Sequence, residues 1–269
     1  MRFLSGRAVT LTHTFLDDED ALTPDDVTVT VTRDGASTPT AEGPATRDGT
    51  VYTFSAGLLP QGVYTVRFSS SAVTDTLRIE VVGGFLFGIP EVRKPALELP
   101  ATRYPAAEVR QARDVVEREF ERITGRSFTP RTLYVEASDL GGCTDLLPVR
   151  DVRSVVALGT PDGPVSLTLD RVGPFAYVPE LPHGTAGVEI EYGFTEVPED
   201  IRRVGLVRLR WVLTEDRSAI PDRATSYQPV DGGTYTLATA GRAGYHTGIP
   251  DVDAVLDDYT FDVVDSVFL

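Results

Sequence analysis

The stretch Tyr104–Gly125, YPAAEVRQARDVVEREFERITG, decides how the chain is read. Val109, Ala112, Val116, Phe120 and Ile123 recur at helical spacing and form one apolar stripe. Pro105 stands where a first helical residue belongs, because the N–H it lacks would be unpaired there. Gly125 stands just past the end, where a left-handed stop favours glycine. The other face carries Arg110, Arg113, Glu117, Arg118, Glu121 and Arg122, and is expected in water. Arg113–Glu117 and Asp114–Arg118 are favourable i,i+4 pairs; Glu117–Glu121 and Arg118–Arg122 repel. The chain before this helix reads as all-β. After it comes a β-rich excursion that returns to a second helix.

Upstream, residues 1–83 alternate with period two. Val27, Val29 and Val31 interleave with threonines, Tyr64, Val66 and Phe68 with Thr65 and Arg67, and Leu77, Ile79 and Val81 with Arg78 and Glu80. Turn pairs Asp34-Gly35 and Asp48-Gly49 separate the runs. Short strands at this spacing predict a small β-sandwich. Leu58-Leu59-Pro60-Gln61-Gly62-Val63-Tyr64 resembles the tyrosine corner of immunoglobulin-like domains. Gly83-Gly84 ends the pattern. Residues 84–104, with Pro90, Pro95 and Pro100, read as a linker, and Phe85, Leu86, Phe87 and Ile89 imply that it is docked.

Residues 105–216 read as a second domain. Between its helices lie β-prone runs at Leu133–Glu136, Val152–Leu158, Val165–Leu169, Phe175–Val178 and Val188–Phe194. Pro198-Glu199-Asp200 opens the second helix, which runs to about Thr214: proline and carboxylates suit a first turn. Ile201, Val204, Leu206, Val207, Leu209, Trp211, Val212 and Leu213 cover most of its circumference. A helix apolar nearly all round needs cover on several sides. A neighbouring subunit is a natural source, at Leu206, Leu209, Trp211 and Leu213. The one tryptophan, Trp211, is expected in core or interface.

Residues 217–269 read as a tail or arm. Val252, Val255, Leu256 and Tyr259 fit a short helix, and the chain ends in an apolar run. Tyr259, Phe261, Val263, Val264, Val267, Phe268 and Leu269 are expected to dock on a partner or subunit.

Composition narrows the function. The chain has 269 residues and a net charge of −15, spread along its length. That balance argues against a surface that grips nucleic acid, which needs clustered lysine and arginine. The single cysteine, Cys143, allows no intrachain disulfide. The N-terminus lacks a signal-peptide core, and no apolar run reaches membrane length, so a soluble intracellular product is expected.

Motifs for chemistry are missing. There is no phosphate-binding glycine loop, no G-x-S-x-G and no H-E-x-x-H. His13, His183 and His246 lie in three regions and read as surface or turn histidines, not metal ligands or a triad. Cys143 follows two glycines, with no histidine placed to activate it. Asp17-Asp18-Glu19-Asp20 lacks the spacing of a calcium loop and reads as a solvated acidic loop. No catalytic, cofactor or metal residue is assigned, and no enzyme is expected.

Four segments carry a family resemblance. They are ARDVVEREFERITGRSFTPR (Ala112–Arg131), LPVRDVRSVVAL (Leu147–Leu158), VEIEYGFTEVPEDIRRVGLVRL (Val188–Leu209) and ATSYQPVDGGTYTLATAGRAGYHTGIPDVDAVLDDY (Ala224–Tyr259). In this order and spacing, residues 104–269 resemble the head-to-tail connector, or adaptor, proteins of tailed bacteriophages. The β-domain lies outside that resemblance and is similar to sandwich decorations on phage structural proteins. The expected fold is therefore α+β and multi-domain: an immunoglobulin-like β-sandwich, a helical connector domain with a β-rich insertion, and an extended C-terminal arm.

The resemblance implies a virion structural protein of the neck, at the head–tail junction, made in the host cytoplasm. It implies a dodecameric ring below the portal protein, a stopper or tail-completion protein beneath it, and genomic DNA passing through the lumen without specific binding. It implies no cofactor, no membrane contact and no catalytic residues, and it gives the arm to the portal. Two other readings stand beside it: a carbohydrate- or surface-binding sandwich on a multimerising stalk, and a hydrolase using a carboxylate pair that nothing in the sequence selects.

Overall fold

The computed structural model describes residues 1–18, 20–140, 146–215, 226–227, 235–236 and 246–260. The chain is α+β, with several sheets and a set of helices. It divides into two compact units: Met1–Gly84 with Thr129–Gly193, and Phe85–Phe128 with Phe194–Leu269. The β excursion thus belongs with the N-terminal strands, while the two long helices belong together.

The first unit holds the strands β1 (Arg2–Leu4), β2 (Ala8–His13), β3 (Phe15–Asp17), β4 (Asp20–Leu22), β5 (Thr28–Arg33), β6 (Ala41–Pro44), β7 (Thr46–Asp48) and β8 (Val51–Leu58). It continues with β9 (Gly62–Ser69), β10 (Thr74–Val82), β11 (Arg131–Glu136), β12 (Val152–Leu158), β13 (Val165–Ser166), β14 (Asp170–Val172), β15 (Phe175–Tyr177) and β16 (Gly187–Tyr192). One sheet has the order β1-β10-β9-β5-β6 and another β2-β8-β7. Their inward residues share one core, including Val29, Val31, Tyr64, Val66 and Phe68 from the first sheet and Val9, Leu11 and Tyr52 from the second. The period-two runs therefore bury the residues that the alternation assigns to the core. The Tyr64 hydroxyl donates to the Pro60 carbonyl at 2.8 Å.

The excursion forms a third sheet, β11-β16-β12-β13, with its own core around Val152, Val155, Val188 and Ile190. Polar and aromatic contacts join it to the first sheet. The Gly83 N–H donates to the Pro130 carbonyl at 2.8 Å. Arg33 pairs with Glu189 at 2.7 Å. Gly35, at φ +79°, lies so near the Tyr134 ring that a Cβ there would meet ring carbons at 2.5 Å. Glycine is needed at this turn for both its left-handed backbone and its missing side chain.

The second unit holds α1 (Ile89–Val92), α2 (Ala106–Thr124), α3 (Glu199–Glu215) and α4 (Pro250–Asp257). Gly125 ends α2 at φ 66°, its N–H donating to Glu121 at 2.8 Å, as a left-handed stop requires. Pro105 is the residue before the helix and not its first turn. The core is built from the stripe Val109, Val116 and Phe120 of α2, Ile201, Val204 and Leu209 of α3, and Val252 and Leu256 of α4.

The stretch read as a linker is part of this core. Leu86, Phe87, Val92, Leu99 and Tyr104 are all buried in it. Its seat explains a departure on α2. Arg113 and Glu117, expected on the wet face, are 4% and 2% exposed. Glu117 accepts the Leu86 N–H at 2.9 Å, and Arg113 donates to the Phe87 carbonyl at 3.3 Å. The guanidinium lies 3.3 Å from the Phe85 ring centroid. Both charges serve backbone groups that a docked segment cannot present to water.

Candidate functional site

α2 and α3 pack side by side and run antiparallel. Glu98, just before α2, holds Arg210 near the end of α3 at 2.7 Å. Phe128, just after α2, lies edge-on to Tyr259, whose hydroxyl donates to Asp200 at the start of α3 at 3.1 Å. Midway, Arg208 makes two hydrogen bonds to Glu119, at 2.8 and 3.1 Å.

The apolar excess expected on α3 is divided between core and surface. Leu209 and Leu213 lie in the chain's own core, covered by α2, α4 and the 85–104 segment. Leu206 is half-buried against the same core. Intrachain packing thus supplies most of the cover that the sequence reading assigned to a neighbour. The remainder is Trp211 at 49% exposure and Val207 at 38%, one turn apart. On α2, Val115 is 47% exposed. Val115 is one turn before Glu119 and Trp211 three residues after Arg208, so the salt bridge sets both beside the same helix junction. These three are the exposed large apolar residues among the described residues of this unit.

The surroundings of this stripe are basic. Arg110, Arg118, Arg122, Arg203 and Arg210 are exposed on the two helices. Among their described acidic residues only Glu199 is exposed; the others are buried or half-buried. A net charge of −15 conceals this face, because the excess acid lies elsewhere. The sequence did carry a signal. Arg118 and Arg122 stand as a like-charged i,i+4 pair on α2. At one end of the face a cleft of about 290 Å³ opens between Glu98, Leu99, Arg103, Tyr104, Arg210 and Thr214.

Tyr259, expected in a docking arm, is part of the unit. It packs against the core, and burial together with the hydrogen bond to Asp200 holds its hydroxyl pKa above the ordinary value. α4 before it is likewise packed, so the expected arm of 217–269 contains a core helix. Phe261, Val263, Val264, Val267, Phe268 and Leu269 lie outside the described residues.

Among the described residues no group of three His, Cys, Asp or Glu side chains could hold a metal ion. His13 pairs with Asp75 at 2.8 Å and packs on Phe15 and Phe68, a structural role in the first unit. Cys143 lies outside the described residues. Among those residues no helix is long and apolar enough to cross a membrane. No family model matches the chain, and no curated protein matches it.

Proposed function

We propose that this chain is a structural subunit of a tailed-bacteriophage neck, a head-to-tail connector without catalytic activity, whose N-terminal part is an immunoglobulin-like decoration. Copies form a ring between the portal protein and the stopper or tail-completion protein and lengthen the DNA channel. The observation that carries the reading is the exposed stripe of Val115, Val207 and Trp211 on two packed helices, rimmed by arginines. An apolar patch with a polar rim is how a subunit surface differs from an ordinary wet helix face. The order of helix, β excursion and helix, with the four resembling segments between Ala112 and Tyr259, supports the choice of family. The acidic balance of the whole chain suits the wall of a channel through which a duplex must slide without sticking.

The test is co-sedimentation with DNA-filled, tailless heads, followed by electron microscopy of the neck. The expected result is a ring of copies on the portal vertex, lost when Trp211→Asp and Val207→Asp are combined. A chain that never joins portal-bearing heads overturns the reading.

A further inference from the structure

The first unit carries a small surface opposite in charge to the helical stripe. β3 and β4 form a hairpin with Phe15 opposite Leu22, Leu16 opposite Ala21 and Asp17 opposite Asp20. Phe15 points inward: it is fully buried and lies edge-on to Tyr52 at 5.3 Å. Strand alternation then turns Leu16 outward together with its cross-strand partner Ala21. Leu16 is 60% exposed, and Ala21 is exposed beside it. Asp17, Asp18 and Asp20 are exposed next to this pair. No lysine or arginine occurs from Ala8 to Thr32. Among the exposed large apolar residues of the described first unit, Leu16 is the one followed by carboxylates at the next two positions.

The helical face is the converse. Arg203, Val207 and Trp211 stand at i, i+4 and i+8 on α3, and Val115, Arg118 and Arg122 at i, i+3 and i+7 on α2. At those spacings each helix carries its apolar and its cationic residues on one ridge. An apolar centre in a basic setting and an apolar centre in an acidic setting are complementary in both respects. A nucleic acid would use the arginines but would leave the valines and the tryptophan edge without apolar cover.

We propose that the occupant of the stripe is a second copy of this chain, whose Leu16 hairpin packs on Val207 and Trp211 with Asp17 and Asp20 directed to Arg118, Arg122 and Arg203. The inference rests on the reading of the stripe as a subunit surface and adds which surface of the neighbour meets it. Because the two patches differ, the contact is head-to-tail: each copy gives a hairpin to one neighbour and receives one from the other. Repetition of such a contact yields a ring where the rotation closes, and not a two-fold dimer.

Trp211 is the chain's one tryptophan, so its emission reads the stripe directly. A hairpin offers a handful of residues where a standard interface uses roughly 20–30 a side, so the titration runs to high concentration. Dilute parent chain is titrated with an excess of full-length Trp211→Phe chain, which is dark and keeps the hairpin. The expected result is a saturable blue shift and a several-fold fall in the acrylamide quenching constant, both weakened by salt. A dark chain that also carries Asp17→Arg and Asp20→Arg should leave the emission where it was. A reporter chain with Arg118→Glu and Arg203→Glu should ignore the first dark chain and respond to the charge-reversed one, a rescue that misfolded variants could not give. No shift with the intact dark chain overturns the proposal. An equal shift with both dark chains overturns it too, because another surface is then the occupant, and so does a failed rescue. Shielding of Trp211 by a duplex oligonucleotide but not by the dark chain would make the occupant a nucleic acid. If the titration succeeds and the chain does not join phage heads, the neck reading alone falls. If a ring forms on the portal vertex and the titration fails, the hairpin contact alone falls.

Discussion

Arg131 reaches across to Glu80, with Nη1 2.7 Å from Oε1 and 2.9 Å from Oε2. Arg2 approaches the same carboxylate at 3.2 Å. Both arginine side chains are nearly buried. One carboxylate near the end of β10 thus meets two cations and ties the first strand of the excursion to the N-terminal sheet. Removing Glu80 takes a carboxylate away from two nearly buried guanidinium groups, a costly loss where water is largely excluded. We predict that Glu80→Ala destabilises the first unit by about 3 kcal/mol. Urea denaturation followed by far-ultraviolet dichroism is the measurement. A loss within the range of an ordinary surface substitution would show that water reaches both arginines.

Residues 1–83 are nevertheless expected to fold alone as an all-β fragment. The core shared by the two N-terminal sheets is drawn wholly from residues before Val82. Such a fragment lacks Arg131, Tyr134 and Glu189, which add stability at the surface of that core. It should therefore show cooperative thermal unfolding, without helical dichroism, at a lower midpoint than the same strands in the full chain. A fragment without a cooperative transition would make the third sheet obligatory.

The strands and helices were legible because their patterns are local. Val152–Leu158 is a strand between the residues that its β-branched run gives, and α3 begins beside the proline and carboxylates that mark a first turn. The grouping of elements was not legible. The excursion sits between two helices in sequence, yet it is held to the N-terminal strands by Arg131–Glu80 and Arg33–Glu189. Each of these residues, read alone, is a charge on the wet side of a strand. Arg113 and Glu117 deceived in the same way, since only the docking of Leu86 and Phe87 gives them buried partners. For Trp211 the apolar bulk left core and interface both open, and only its angular position on α3 shows it half-exposed at the rim.

Leu209 and Trp211 should therefore separate folding from surface function. Leu209 has no exposure, and Leu209→Ala is expected to cost about 2–5 kcal/mol by transfer and cavity terms. Trp211 is half-exposed, and Trp211→Ala should cost well under that, about 1 kcal/mol. Chemical denaturation of the two variants compares them. Equal losses would place Trp211 in the core after all.

Tyr259 gives a pH signature. Burial first, and then the hydrogen bond and charge of Asp200, raise its pKa above the ordinary 10.0. Above pH 10 the unfolded chain loses this proton before the folded chain does. The stabilisation is therefore complete below the ordinary value and is lost as pH rises through the folded one. Tyr64 and Tyr134, raised mainly by burial, act in the same direction. Tyr259→Phe should cost about 1 kcal/mol at neutral pH through the lost hydrogen bond. It should also flatten the fall of stability at alkaline pH. A variant with the parent's alkaline slope would show that Tyr259 titrates alike in both states.

Two truncations test where the core of the second unit ends. A tail that is only an arm could be cut after Gly248 without harm to the fold. The packing of α4 argues otherwise, because Val252 and Leu256 are fully buried against α2 and α3. Asp253 also holds the turn before the helix, accepting from the Thr247 N–H and hydroxyl at 2.8 Å each. Loss of the two apolar side chains alone removes roughly 3–6 kcal/mol of burial. A chain stopped after Gly248 should therefore unfold in its helical unit, with lower helical dichroism and rapid proteolysis within residues 85–128 and 194–248. A chain stopped after Thr260 keeps α4 and the Tyr259–Asp200 bond, so its helical signal and urea midpoint should stay near those of the full chain. If both truncations are equally stable, α4 contributes nothing to the core. If the cut after Thr260 is as damaging as the cut after Gly248, the packed helix α4 is not what sets the stability of this unit.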